Sequence, residues 1–456
     1  MPYDSIPIDA RVDFNPAAAP WAAAAAMASA HSPNGMISGA AAVVLPDGRM
    51  LVCGGYDGAA ETTACALYDP ATGTWVVAAP LTTARQSHTA TLLPDGRMLV
   101  AGGYSGGNAI ASCELYDPVA DSWSAAGSLA GARQSHTATL LPDGRVLVAG
   151  GAAAGAELAT CELYNPIIDA WAAAGALATA RLDHTLTLLP SGLVLAAGGG
   201  TVAAAALASC ELYDPVTNAW AAAGALATAR LAHTATLLPN GLVLAVGGYQ
   251  GGAVLPACEL YNPATDTWTN TVGGLVTGRM VHSATLLPSG LVLAAGGADA
   301  TFTPLAEAET FDPATGLWTA TGNLVTGRLW HSAALLPTGQ VLIAGGWSGA
   351  GAEASAELFT CTVPVLTAAH GVAGVGLMAP GRVRLTLTLQ AIVVLAARRR
   401  RPTVAAFHPS LPLGALPDVR PSAYVVAYDP VAGSLEVAVG TDGYGPVNLP
   451  VQVELQ

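Results

Sequence analysis

A repeat of 48 or 49 residues runs through most of this chain. Gly-Gly pairs recur at that interval, beginning at Gly54, Gly102, Gly150, Gly198, Gly247, Gly296 and Gly345. Tryptophan and histidine follow the same period, at Trp75, Trp123, Trp171, Trp220, Trp268 and Trp318, and at His88, His136, His184, His233, His282 and His331. A period of this length over residues 36–361 predicts seven copies of one supersecondary unit.

Each repeat unit contains four short β-rich runs. In the third unit, two apolar runs flank a Pro-Asp-Gly turn at residues 142–144, which predicts a tight hairpin. A third run, residues 161–164, stops at Asn-Pro, and a fourth contains Trp171. A Gly-Gly pair and a Pro-x-Gly turn in every unit exclude a helical repeat. Seven units of four strands predict a seven-bladed β-propeller.

The repeat resembles the kelch family. The resemblance rests on the apolar run that ends in Gly-Gly, the following Tyr-Asp-Pro, and a tryptophan seven residues after the tyrosine, as in Tyr116 and Trp123 or Tyr213 and Trp220. It implies a kelch propeller over nearly three quarters of the chain. It does not imply one function, because kelch propellers include substrate adaptors, sugar-binding proteins and copper-radical oxidases related to galactose oxidase.

The amino-terminal segment is predicted to close the ring. Phe14-Asn-Pro followed by Trp21 repeats the spacing of Tyr68-Asp-Pro and Trp75, whereas the seventh unit has no tryptophan after Phe359. A three-stranded last blade would expose an unpaired edge, which proteins avoid. We therefore expect residues 1–35 to supply the last strand of the seventh blade and residues 36–361 to form the propeller.

The repeat is lost after residue 361. Residues 383–390 alternate apolar and polar side chains, and runs at 424–428, 435–439 and 447–455 also suggest strands. We expect residues 362–456 to form a small domain that serves for docking or assembly. The predicted fold class is therefore all-β: a seven-bladed kelch β-propeller with a C-terminal β-sandwich-like domain.

Polar residues repeat together in units two to seven. These units have an arginine (Arg85, Arg133, Arg181, Arg230, Arg279, Arg328), the histidine named above, and a glutamate (Glu114, Glu162, Glu211, Glu259, Glu309, Glu357). Unit one has Ile37, Ala40 and Ala66 at the three positions, so all three polar residues are absent together. This pattern predicts one structural Arg-Glu-His network per blade rather than a metal ring or an anion trap.

The cysteines also occupy a repeated position. Cys65, Cys113, Cys161, Cys210 and Cys258 share one site on the third strand, where the last two units have Ala308 and Ala356. An alanine alternative indicates a small buried position. Equivalent residues of neighbouring blades should be too far apart for a disulfide, so we expect reduced thiols.

Composition excludes several classes of partner. The chain has 17 basic residues, all arginine, against 31 acidic ones, and its net charge of −14 does not suit a duplex-binding surface. The exception is residues 398–401, four arginines, which we interpret as a solvated turn or a partner-facing patch. No apolar stretch approaches the ~20 residues of a membrane span.

The start of the chain lacks the basic and apolar regions of a signal peptide, so we expect a cytoplasmic protein or part of an assembled particle.

Catalytic chemistry has little support in the sequence. Galactose-oxidase relatives bind copper through a Tyr-His pair, a further tyrosine and a carboxy-terminal histidine, beside a Tyr-Cys crosslink. This chain has no Tyr-His dipeptide, and His370 and His408 are its only late histidines. No CxxC or HxxH spacing suggests zinc. We therefore predict no catalytic residue, no metal ligand and no cofactor.

The leading functional hypothesis is a non-catalytic recognition or assembly protein, with a structural or receptor-binding component of a phage or tail-like particle as one form. The alternative is a carbohydrate-binding protein or a galactose-oxidase-like carbohydrate-active enzyme.

The loops after Gly-Gly form the predicted binding surface for a protein or a glycan. These loops vary in sequence and length, whereas the Pro-x-Gly turns at the other end of the blades are nearly invariant. Tyr56, Tyr104 and Trp347 follow Gly-Gly in units one, two and seven, which are neighbours in a closed ring, and Trp330 belongs to the same end. Clustered aromatic residues often supply interface energy or stack on sugars. Alternatively, each aromatic packs only on its own loop.

Overall fold

The computed structural model describes residues 21–31, 41–360, 423–429, 434–439 and 451–454. The chain divides into two compact units, of which Ala19–Cys361 is the larger. The regular secondary structure of the described residues consists of strands, without a helix. None of the described residues forms a helix long and apolar enough to cross a membrane.

Within residues 21–360, seven four-stranded antiparallel sheets form the blades. Blade one contains β2 (Ala41–Val44), β3 (Met50–Cys53), β4 (Cys65–Asp69) and β5 (Thr74–Ala78). Blade two contains β6 (Thr89–Leu92), β7 (Met98–Ala101), β10 (Cys113–Asp117) and β11 (Ser122–Ala126). Blade three contains β12 (Thr137–Leu140), β13 (Val146–Ala149), β16 (Cys161–Asn165) and β17 (Ala170–Ala174). Blade four contains β18 (Thr185–Leu188), β19 (Val194–Ala197), β20 (Cys210–Asp214) and β21 (Ala219–Ala223).

The remaining blades repeat the same order. Blade five contains β22 (Thr234–Leu237), β23 (Val243–Val246), β26 (Cys258–Asn262) and β27 (Thr267–Asn270). Blade six contains β28 (Ser283–Leu286), β29 (Val292–Ala295), β30 (Ala308–Asp312) and β31 (Leu317–Thr321). Blade seven contains β32 (Ser332–Leu335), β33 (Val341–Ala344), β34 (Ala356–Phe359) and β1 (Trp21–Ala24). Short hairpins follow Gly-Gly in blades two, three and five: β8 (Tyr104–Ser105) with β9 (Asn108–Ala109), β14 (Ala152–Ala153) with β15 (Ala156–Glu157), and β24 (Tyr249–Gln250) with β25 (Ala253–Val254).

The apolar core lies between neighbouring blades. Leu99 and Leu115 of blade two pack in one cluster with Val146, Val148 and Tyr164 of blade three. The second strand of a blade is therefore buried along its whole length, because both of its edges are paired and both of its faces are covered. Burial on both faces explains why this strand is a continuous apolar run rather than an alternating one.

The repeated tyrosine and tryptophan hold the outer strand against the preceding blade. Tyr164 and Trp171 are cross-strand partners with ring centroids 5.1 Å apart. The Trp171 indole N–H donates to the Gly127 carbonyl of blade two at 2.7 Å, and the Tyr164 hydroxyl donates to Asp169 at 2.8 Å. Tyrosine and tryptophan are therefore seven residues apart in the sequence because they face each other across the tight turn that joins the third and fourth strands.

The strand that contains Trp21 lies at the outer edge of blade seven. Trp21 pairs with Phe359 across β1 and β34, and their ring centroids are 5.1 Å apart. The first strand of blade one contacts the first strands of blades two and seven, so the ring is closed.

The described strands of the second unit form a three-stranded antiparallel sheet. β35 (Ala423–Asp429) and β36 (Ser434–Val439) pair with a bulge between Val425 and Ala427, and β37 (Val451–Glu454) pairs with β36. The strand expected at 383–390, the arginines at 398–401, and His370 and His408 lie outside the described residues. The boundaries 1–35, 36–361 and 362–456 and the β-sandwich-like form stay predictions.

Candidate binding site on the loop face

The loop face is the end of the propeller that carries the loops after Gly-Gly and the Arg-x-x-His segments. The double glycine is required where these segments meet. A Cβ on Gly102, which has a φ of 60°, would lie 2.7 Å from the Arg133 carbonyl oxygen, and one on Gly103 would lie 2.6 Å from the Gln86 carbonyl oxygen. No side chain fits at either position, so the pair allows the Arg-x-x-His segments of two blades to pack against it.

Buried Arg-Glu ion pairs anchor the loop face. In blade three, Arg133 donates from Nη2 to Glu162 at 2.8 Å and from Nη1 to the Gly150 and Thr160 carbonyls at 2.9 and 2.8 Å. Glu162 also accepts from two backbone N–H groups of the preceding loop. Within the described residues, blades two to seven all contain this pair: Arg85–Glu114, Arg133–Glu162, Arg181–Glu211, Arg230–Glu259, Arg279–Glu309 and Arg328–Glu357. The predicted structural pairing of arginine with glutamate is confirmed.

The histidines do not join these pairs, so that part of the predicted network is wrong. Their Nε2 atoms reach across to the preceding blade. Five are hydrogen-bonded to the hydroxyl that begins its first strand: His136 to Thr89, His184 to Thr137, His233 to Thr185, His282 to Thr234 and His331 to Ser283. In blade two, His88 Nε2 instead lies 3.8 Å from Cys53 Sγ of blade one. Burial, with Arg181 nearby, lowers the pKa of His184 to about 3. The imidazoles are therefore neutral links between blades.

Blade one replaces the arginine by His31 rather than by Ile37. The His31 Nδ1 atom lies 2.8 Å from the Gly54 carbonyl oxygen, the contact that Arg133 makes with Gly150. Gly346 N–H donates to the His31 carbonyl at 2.9 Å, as Gly103 N–H does to Arg133. The assignment of Ile37 by counting back from the first strand fails because the connection to that strand is longer in blade one.

The third residue of each Arg-x-x-His segment surrounds the propeller axis. These residues form a series of backbone hydrogen bonds, in which each N–H group after the first donates to the carbonyl of the equivalent residue in the preceding blade, at 3.0 to 3.2 Å. In order, the series is Ser87, Ser135, Asp183, Ala232, Val281 and Trp330. All of these residues have a positive φ, between 50° and 57°. We call them the axial chain.

Two cavities adjoin the axial chain. The larger, of about 670 Å³, is lined by the post-glycine loops and includes Tyr56, Tyr104, Tyr249 and Phe302 among its walls. The smaller, of about 170 Å³, is lined by axial residues and by four of the cross-blade histidines (His184, His233, His282, His331). Ser135, Asp183 and Ala232 line both, so the axial chain lies where the two cavities meet.

The structure separates the four predicted site residues into two pairs. Tyr56 and Tyr104, both half-buried, line the larger cavity. Trp330 lines the smaller one, and Trp347 packs with it against an apolar cluster that includes Leu329. The role of all four in binding stays a prediction.

Sequence reasoning missed Asp183. Neither of its carboxylate oxygens has a hydrogen-bond partner, and burial raises the pKa of this carboxyl well above its usual range. The one signal in the sequence is that Asp183 is the only charged residue at its repeat position among the axial residues described. The larger cavity also contains the Glu61 carboxylate but no arginine or histidine.

Metal-binding and thiol chemistry find no assembled site in the described part of the chain. It contains no group of three or more His, Cys, Asp or Glu side chains placed to hold a metal ion. Its cysteines are free and buried, including those of the repeated third-strand position. Burial raises the pKa of Cys161 to about 11, so this thiol is not a reactive nucleophile at neutral pH.

The comparisons with known proteins concern the fold. A family model described as the Kelch motif matches residues 39–82, 87–130 and 230–271, in blades one, two and five. The propeller is a kelch-repeat propeller. A solved fungal alcohol oxidase of the AA5 family, in complex with copper, is similar in fold to the chain, with a TM-score of 0.63 and 17% identity over 95% of this chain and 87% of that one. No curated protein matches the sequence.

Proposed function

We propose that this kelch propeller is a non-catalytic recognition protein that binds its ligand on the loop face. The observation that carries the proposal is the cavity of about 670 Å³, whose walls are loops that differ between blades. Its size lies in the range of ligand pockets in proteins. Variable loops on a repeated scaffold are the usual arrangement of a recognition surface.

The base of this surface is held in place. The Arg-Glu pairs fix the segments that enter the blades, and the axial backbone hydrogen bonds connect successive blades. Tyr56 and Tyr104 stand on this base as half-buried aromatic walls. Aromatic side chains lose little conformational entropy on binding and offer large contact areas, so they suit either a protein or a glycan partner.

The test compares variants of the two ends of the propeller. Tyr56→Ala combined with Tyr104→Ala removes two aromatic walls of the cavity and should weaken binding to a host-lysate protein or an arrayed glycan by at least about tenfold, the usual effect of removing interface aromatics. The turn-face variant Asp143→Ala should bind as the parent does, because its exposed pair with Arg145 lies at the other end. Equal affinity for the aromatic double variant and the parent contradicts the proposal.

The second unit is part of the same proposal. We expect residues 362–456 to form a β-sandwich-like docking domain, and assembly into a phage or tail-like particle is one form this takes. The antiparallel sheet β35–β36–β37 supports an all-β domain.

A carbohydrate-active enzyme is the second candidate, and the fold similarity to the copper-containing alcohol oxidase favours it. The described residues do not fit a copper site, because they contain no group of three or more His, Cys, Asp or Glu side chains placed to hold a metal ion. Copper analysis of the purified chain, with an assay for the hydrogen peroxide formed from O2 when primary alcohols or galactose are oxidised, decides between the candidates. Stoichiometric copper with peroxide release contradicts the non-catalytic assignment.

A further inference from the structure

The side chain of Asp183 is a buried carboxylate that makes none of the hydrogen bonds that hold the ring together. Its residue is 6% exposed, and both oxygens lack a hydrogen-bond partner. The other five axial residues, Ser87, Ser135, Ala232, Val281 and Trp330, are uncharged. An unpaired carboxylate in this position opposes folding, because it loses its hydration without a compensating contact.

The backbone does not require aspartate here either. Asp183 has a φ of 56°, a conformation that Asp and Asn tolerate better than most residues. However, Ala232, Val281 and Trp330 adopt the same conformation in blades five, six and seven. The conformation is thus fixed by the ring, and the identity of the side chain needs a different explanation.

The larger cavity is electrostatically negative. Its walls contain the carboxylates of Asp183 and Glu61 and no cationic side chain. Glu61 accepts a hydrogen bond from Gln86 Nε2 at 3.2 Å, whereas neither oxygen of Asp183 has a hydrogen-bond partner. The net charge of −14 extends the attraction for cations beyond the cavity.

The titratable groups on the other side of Asp183 do not neutralise it. The smaller cavity places His184, His233, His282 and His331 near it. Burial lowers the pKa of each of these imidazoles, for His184 and His331 to about 3, so they are uncharged at neutral pH.

The remaining walls also suit a cation. Tyr56, Tyr104, Tyr249 and Phe302 line the same cavity as Asp183. Aromatic faces attract ammonium and guanidinium groups, and they cover the alkyl part of such a ligand.

We propose that the loop-face cavity binds an organic cation, carried on a primary ammonium or guanidinium group, with Asp183 as its counter-ion. The proposal rests on the proposed function, because it names the ligand class of the same surface. The cationic group belongs either to a free amine or to a lysine or arginine side chain of a partner, and the two sources are separated by the choice of probe.

The first experiment measures binding of cationic probes to the full chain by calorimetry and thermal shift. Cadaverine and agmatine represent free amines, and blocked tripeptides centred on lysine or arginine represent a partner's side chain. N-acetylated cadaverine, blocked at both ends, is the neutral control. The cationic probes should bind at least about tenfold more tightly than the neutral one, since hydrogen bonds to charged groups are the stronger ones. Tighter binding of the tripeptides than of the free amines identifies a partner side chain as the source.

The second experiment replaces Asp183 by asparagine. Asp183→Asn should weaken cation binding by about 10- to 100-fold, the range for losing one charge-assisted contact. The melting temperature should stay the same or rise, because the variant removes an unpaired buried carboxyl and asparagine accepts the same φ. The matched control is Asp57→Asn, which removes an exposed carboxylate whose Oδ1 holds the backbone of the cavity-lining Ala59 and Ala60. It should bind as the parent does.

Binding should also weaken on acidification from pH 8 to pH 5 in the parent but not in Asp183→Asn. Burial raises the pKa of Asp183, so its carboxyl takes up a proton that the cation must displace.

Failure of every cationic probe to bind, or equal affinity for Asp183→Asn and the parent, overturns the assignment of Asp183. This failure is distinct from failure of the proposed function. Loss of partner binding in Tyr56→Ala/Tyr104→Ala, without any effect of Asp183→Asn, would support the recognition surface and contradict only the proposed cation.

Discussion

Removing Arg230 should destabilise the propeller more than removing any exposed arginine. Arg230 and Glu259 are both 0% exposed, and Arg230 Nη2 donates to Glu259 at 2.6 Å. Its Nη1 donates to the Gly247 and Ala257 carbonyls at 2.6 and 2.9 Å. The guanidinium therefore joins the double glycine, the third strand and the glutamate of blade five.

The expected cost of Arg230→Ala follows from these contacts. Glu259 would keep its hydrogen bonds from the Ala227 and Thr228 N–H groups but would lose its counter-charge while fully buried. Breaking a buried pair from one side costs about 3–5 kcal/mol, because a desolvated charge is left behind. Two carbonyls that lose a charged donor contribute in the same direction. We expect the free energy of unfolding to fall by about 3–5 kcal/mol.

Blade one supplies the design of a compensating variant. It has His31 and Ala66 at the two positions, and a cavity of about 300 Å³ adjoins Ala66. Arg230→His combined with Glu259→Ala copies this arrangement into blade five and leaves no unpaired carboxylate. The double variant should be no less stable than Arg230→His alone, and the cycle with the single variants Arg230→His and Glu259→Ala should give a coupling free energy of about 0.5–3 kcal/mol.

Urea denaturation of the full chain measures these differences. The matched control is Arg97→Ala, which breaks the exposed pair between Arg97 and Asp95, 35% and 44% exposed. Exposed pairs contribute about 0.2–1 kcal/mol, so this variant should resemble the parent. If Arg230→Ala loses no more stability than Arg97→Ala, the structural role of the buried pair is refuted.

Two further predictions concern closure and pH. Deleting residues 1–24 removes β1 and exposes the β34 edge and Phe359, so the melting temperature should fall or light scattering should report aggregation; an unchanged melting curve contradicts this. The pKa values of His184 and His331 are lowered to about 3 in the folded state from 6.5, so both stabilise the fold fully above pH 6.5. Stability should fall below pH 6.5 by about 1.4 kcal/mol per pH unit for each histidine, whereas the raised pKa of Asp183 acts in the opposite direction. Equal free energies of unfolding at pH 7 and pH 5 would contradict the second prediction.

The blades could be predicted because every repeat unit contains the same sequence pattern of four strands and their turns. Turn residues and apolar runs occur at fixed offsets, and the tryptophan spacing identified Trp21 as a fourth strand far from its partner Phe359. The two-residue hairpins such as Tyr104–Ser105 with Asn108–Ala109 were not predictable, because two residues carry no periodic signal.

The candidate site was less predictable because its walls come from different blades. Tyr56 and Tyr104 were found because aromatic side chains are conspicuous at equivalent positions. Asp183 was missed because its importance depends on the absence of a partner, which only the packed structure shows. His31 was missed because it lies further from the first strand of its blade than the arginines of the other blades do, so its position does not match the repeat spacing.

Different residues of the Arg-x-x-His segment hold the ring together and line its cavities. Its arginine is buried and forms an ion pair within the blade, such as Arg181 with Glu211. Its histidine links two blades through a hydrogen bond, such as that between His184 and Thr137. Its third residue holds the axial chain through backbone atoms alone, so the side chain is free to differ and lines the cavities. A difference at this position, such as Asp183 in blade four, therefore changes the lining of the cavities, and in the proposed function the ligand, without altering the interactions that hold the ring together.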